Sequence, residues 1–96
     1  MKFQAVGKLE INGKNWEYGY GNPGKNNDGL CDHGKRRITI AKNNRVRSFV
    51  DVLAHETIHA RLPDVSEESV ESTAVLISRA YDLFSEHDAS LVGGRG

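Results

Sequence analysis

Apolar and polar residues alternate along "FQAVGKLEI", and the run ends at "NG". Alternation followed by Asn-Gly predicts a β-hairpin with a tight turn. "KNWEYGY" continues it, placing Trp16, Tyr18 and Tyr20 on one face. Two antiparallel strands are expected, over about 3–11 and 14–20. "GNPGKNNDG" reads as a polar loop, and "RRITIAK" as a short β-branched strand over about 36–41. From residue 46 to 86 glycine is absent and the period changes to that of a helix. Ser48 followed by Asp51 resembles a capping box, so a helix is expected over about 48–61, ended by Pro63. Phe49, Val52, Leu53 and Ala60 lie on one side of it, and Val50, Ala54, Ile58 and Leu62 on the other. A helix apolar on both sides belongs in the middle of its domain. Ser66 is a good N-cap for a second helix, with Glu67 and Glu68 suited to its positive end. Val70, Ala74, Ile77, Tyr81 and Phe84 form its expected apolar stripe, running to about 86. The connection is short, so the helices should pair antiparallel.

The expected fold is therefore α+β: a small antiparallel sheet packed on an antiparallel helical hairpin. Residues 1–88 make one domain, and 89–96 ("SLVGGRG" and the serine's neighbour) read as a flexible tail. The chain has 96 residues, enough for one thin core that a bound metal would help to stabilise. Thirteen basic and thirteen acidic residues cancel, which argues against a general nucleic-acid or anionic-membrane binder. Lys35-Arg36-Arg37 reads as a solvated strand edge. The single cysteine, Cys31, permits no internal disulfide and favours a reducing compartment. With no signal-like run at the N-terminus and no long apolar stretch, a soluble, cytoplasmic protein is expected.

The candidate chemistry is in "AHETIHARLPDVSEESVES". His55 and His59 are four apart, so on a helix they share one face and can share one zinc ion. Glu56 is rotated by about 100° from His55. It stands beside such a metal and can take a proton from the water that the metal activates. This is the H-E-x-x-H arrangement of zinc peptidases. A third ligand is needed, and the second helix offers Glu67, Glu68 and Glu71. Relative to the expected stripe, Glu68 points to solvent, while Glu67 and Glu71 lie on one flank, about 60° and 100° from its centre. Glu71 falls opposite the histidines and is the expected ligand. Glu67, one turn earlier, is the alternative, with the other carboxylate supporting from behind.

At these residues the chain resembles a family. "LAHETIHA", a short turn and "SEESVESTA" look like small zinc metallopeptidases of the gluzincin type, whose third ligand is a glutamate on the next helix. Residues 29–84 are also similar to compact phage- and prophage-type metallopeptidases. "ESTA" resembles the E-x-x-A of the ImmA/IrrE-type peptidases, which favours Glu71. The resemblance implies a minimal zincin-like fold, zinc held by His55, His59 and Glu71, and hydrolysis of a peptide or protein substrate with Glu56 as general base. It suggests Ile38-Thr39-Ile40 as the edge along which a peptide would pair. The chain is much shorter than thermolysin-like enzymes, and no residue is identified as the oxyanion's helper. Tyr81 is about 15 Å along the helix from Glu71. Tyr18 and Tyr20 would serve only if the hairpin folds over the site. A zinc-stabilised module that binds a protein partner without catalysis is the alternative, and a metal-free structural domain is the third. Cys31 and His33, a C-x-H pair, read as packing and loop surface. Trp16, Tyr18 and Tyr20 read as the sheet face that covers the helices, and His87 as a cation near a helix end.

Overall fold

The computed structural model describes the backbone of residues 2–94 and the side chains of residues 2–88. Strands β1 (Gln4–Ile11) and β2 (Lys14–Tyr20) form the expected hairpin. Asn12 and Gly13 both have positive φ, 54° and 78°, as a two-residue turn matching the strand twist requires. Two further strands follow, β3 (Gly29–Asp32) and β4 (Arg37–Ile40), then helices α1 (Phe49–Arg61) and α2 (Glu67–Gly94). The sheet order is β1-β2-β4-β3.

The fold is α+β, with two differences from the expected sheet. β3 falls in "GLCD", between the expected loop and strand, and pairs antiparallel with β4. β4 runs parallel to β2, from Glu17 opposite Arg37 to Tyr20 opposite Ile40, so the sheet is mixed. β4 is consequently interior, and Ile38-Thr39-Ile40 offers no free edge. That edge belongs to β3, beside α1.

One apolar cluster, built from Ile11, Trp16, Ile38, Ile40, Val52 and Ala60, joins the sheet to α1. Trp16 is buried, Tyr18 donates to or accepts from Thr57 Oγ1 at 2.9 Å, and Tyr20 lies against Phe49. The aromatic stripe is thus the cover of α1. α1 sits between the sheet and α2, as a helix apolar on both sides should. Its N-cap is Ser48, whose Oγ accepts from Asp51 N at 3.2 Å. Ser66 caps α2 in the same way, accepting from Ser69 N at 3.2 Å. The basic cluster is not a free edge at Arg37, which is paired across the interior strands β2 and β4: its Nη2 is 2.8 Å from Glu17 Oε1.

α2 exceeds its expected end near 86. Helical backbone continues to Gly94, through most of the segment expected as a tail, so His87 is well inside the helix. Positions 95 and 96 lie outside the described residues. No helix among the described residues is long and apolar enough to cross a membrane.

Candidate metal centre

Successive fourth residues on a helix advance by only about 40°. Asp51, His55 and His59 therefore form a row along α1, and that row faces α2. The opposite row on α2 is made of small side chains: Val70 and Ala74 are 0% exposed and Ser78 is buried. Ser78 Oγ meets Ser48 Oγ at 2.8 Å, which fixes the antiparallel register. The cap at Ser66 starts α2 where its first residue, Glu67, reaches back over both histidines.

Glu67 Oε1 is 2.9 Å from His55 Nε2, and Glu67 Oε2 is 2.9 Å from His59 Nε2. The two Nε2 atoms are 3.2 Å apart. Hydrogen bonds alone do not satisfy this triangle. If both imidazoles donate to the carboxylate, two N–H groups confront each other; if neither does, three lone pairs converge; if one donates and the other accepts, the accepting nitrogen's lone pair still faces an oxygen of the ionised carboxylate. A cation at the centre removes the conflict. Zinc at its usual bond lengths of about 2.0–2.1 Å sets neighbouring tetrahedral ligands about 3.3–3.4 Å apart. The observed separations are slightly shorter, so a small outward relaxation of the three side chains would make room for such an ion. Among the described residues this is the group of ligating side chains that converges closely enough to hold a metal.

The expected third ligand was Glu71, with Glu67 as the alternative. The structure brings Glu67 to the histidines and leaves Glu71 against Arg47, with Oε1 3.7 Å from Nη2. The difference comes from the rotation of α2. The expected stripe included Ile77 and Tyr81, but these are 42% and 55% exposed, and Ser78 is buried instead. A row of Val70, Ala74 and Ser78 puts Glu67 about 20° from the centre of the packed face and Glu71 about 60° from it.

Glu56 is half-buried beside the trio. Burial pushes its carboxyl above the usual range, opposed by the imidazoles of His55 and His59; Glu67 adds to the rise and Arg47 opposes it. β3 closes directly on this residue. A Cβ on Gly29 would lie 2.9 Å from Glu56 Cγ and 2.7 Å from Val52 Cγ1, so only glycine lets the strand come so near. Two clefts open on either side of Glu56. One, of about 380 Å³, is bordered by Asp28, Arg47, His55, Glu67 and Glu71. The other, of about 320 Å³, is bordered by Leu30, Cys31, His33 and His59. Asn27, Gly29 and Glu56 border both.

Arg47 is held in the first cleft by its backbone. Asp28 accepts from Arg47 N at 2.9 Å and from Val46 N at 3.2 Å, tying the loop before β3 to the segment before α1. Cys31 and His33 are together, with Sγ 3.6 Å from Nε2, and the His33 ring sits edge-on to Trp16. Cys31 packs against the core and His33 is exposed. Burial, then Glu56 and Asp32, pushes the Cys31 thiol up to about 11, so without a cation beside it the thiol stays protonated near neutral pH. Tyr18, through its bond to Thr57, is fixed on the far side of α1, about 160–200° round the helix from the two histidines.

Asp28, Gly29 and Arg47 border the site without having stood out in the sequence, and Asp51, noted there only for its place after Ser48, lies in the same α1 row as the histidines. The first three act through loop contacts that no periodicity encodes. Asp51 was readable, because it is four residues before His55 and so on the same face. Comparison with protein-family models, with curated proteins and with solved structures finds no match to this chain.

Proposed function

We propose that the chain is a zinc-dependent peptidase in which His55, His59 and Glu67 hold the metal and Glu56 is the general base. The convergence of two imidazole nitrogens and one carboxylate within 2.9–3.2 Å, beside a half-buried glutamate, carries this reading. Bound there, zinc would supply Lewis-acid polarisation of a carbonyl and would acidify a water. Glu56, its affinity for a proton raised by burial, would take the proton from a water beside it and pass it to the leaving nitrogen. The clefts on both sides leave room for an extended chain to cross Glu56. β3, the free edge beside α1, takes over the pairing role suggested for β4. Arg47, which borders the cleft with His55 and Glu67, is the nearby donor that would assist an oxyanion, a role for which Tyr18, held on Thr57, and Tyr20, against Phe49, are not placed.

One observation favours the alternative, a zinc-stabilised module that binds a protein. Val6 and Leu9 are 70% and 59% exposed and border an apolar hollow of about 240 Å³ with Tyr20, Phe49 and Leu53. Such a surface suits a partner. Two measurements separate the readings. Purified protein should carry about one zinc per chain by elemental analysis. It should cleave an unstructured protein such as casein, and Glu56→Gln should retain the zinc while losing at least about a hundredfold in rate. Zinc without cleavage across a broad peptide library retires the peptidase and leaves the module; no zinc retires both.

A further inference from the structure

Asp51 is the one member of the α1 row without a task in this scheme. It is 9% exposed, and its Oδ1 is sealed from solvent with no hydrogen-bond partner. Its own N–H is bonded to Ser48 Oγ, which is also bonded to Ser78. A buried carboxylate oxygen left unpaired is costly, and folded proteins keep few of them without a use.

His55, one turn later, has the complementary problem. To hold a cation through Nε2, a neutral imidazole must carry its proton on Nδ1, and that N–H needs an acceptor. The group set against Nδ1 is Arg47 Nη1, at 3.5 Å. A guanidinium has donors only. Arg47 therefore suits the ring only while Nδ1 bears a lone pair, which is the tautomer that cannot ligate through Nε2. Asp51 is an acceptor on the same helical face, at the i, i+4 spacing that makes side chains neighbours.

We propose that Asp51 is a positioning residue of the metal site, accepting the Nδ1 proton of His55 when a cation occupies Nε2. Arg47 then gives up that nitrogen and keeps its partner Glu71. The metal-free chain holds Asp51 in reserve, and metal binding satisfies the orphaned oxygen. This inference rests on the zinc reading above and adds to it which residue selects the ligating tautomer.

The test uses the full chain and Zn2+ alone, so it does not depend on any substrate. Zinc affinity is measured by competition with a chromophoric chelator, and melting temperature is measured in excess EDTA. Asp51→Leu should melt no lower than wild type in EDTA, since a buried unpaired oxygen is removed, yet bind zinc about 10- to 100-fold more weakly. Asp51→Asn keeps an oxygen acceptor and should fall between the two. In zinc-loaded wild type, the His55 Nδ1 proton should give a slowly exchanging NMR resonance that Asp51→Leu lacks. Wild-type zinc affinity in Asp51→Leu overturns the proposal. If that variant does not fold, wild-type affinity and an unchanged Nδ1 resonance in Asp51→Asn overturn it instead. Absence of zinc binding by wild type overturns the metal reading and this inference together, and is seen before any variant is made.

Discussion

Over its first turns α2 buries Val70 and Ala74 completely; further along it leaves Leu83 69% and Phe84 72% exposed. Both stretches carry apolar residues at helical spacing, so the pattern alone does not distinguish them. What differs is the partner. α1 has 13 residues and α2 has 28. In the register fixed by Ser48 and Ser78, α1 begins opposite Ser78. Beyond that point α2 has no α1 to pack on. Burial on α2 is thus set by the length of its neighbour, and the covered stretch is the one that presents Glu67 to the histidines.

The largest test of that contrast is between two carboxylates one turn apart. Structural zinc sites are worth about 10–16 kcal/mol over four ligands, so loss of one ligand should weaken binding on the order of 100- to 1,000-fold. Glu67→Ala should show that loss in a chelator competition. Glu71→Ala, which removes only a 3.7 Å ion pair with Arg47, should change affinity by less than about threefold. The opposite ranking would mean that α2 turns its Ile77 face to α1 in solution.

A smaller effect separates the two stretches by stability. Val70→Ala removes two methyl groups from a fully buried position and should cost about 2 kcal/mol in urea unfolding. Leu83→Ala, at an exposed helical position, should cost less than about 0.5 kcal/mol. Equal losses would show that the distal half is covered in solution.

The same dependence on partners decides what could be read in advance. The hairpin was legible because Asn12 and Gly13 specify the turn by their own backbone preferences. The two helix starts were legible because Ser48 and Ser66 act on N–H groups three residues away. His55, Glu56 and His59 were legible because their spacing is a property of one helix. β3 was not: "GLCD" is four residues long and becomes a strand by pairing with β4. The parallel pairing of β4 with β2 likewise depends on contacts distant in sequence. Which carboxylate, Glu67 or Glu71, lies against the histidines depends on whether Ile77 or Ser78 faces α1. Hydrophobicity favours Ile77, but the hydroxyl pair with Ser48 and the close approach of the helices favour Ser78.

The smallest expected effect concerns Glu56, beneath the covered stretch. Burial raises its folded-state pKa above the unfolded value near 4.5. The folded chain therefore binds this proton more tightly than the unfolded chain does. Its contribution to stability is fully present below pH 4.5 and is lost as pH rises through the raised value. Ionising this half-buried carboxylate as pH rises works against the metal-free fold. Glu56→Gln should then melt higher than wild type in EDTA at pH 7, with the gap closing as the pH is lowered toward 4.5. Saturating zinc should shrink the gap at pH 7, because a nearby cation stabilises the ionised form. A gap independent of both pH and zinc would place Glu56 in solvent, away from the histidines.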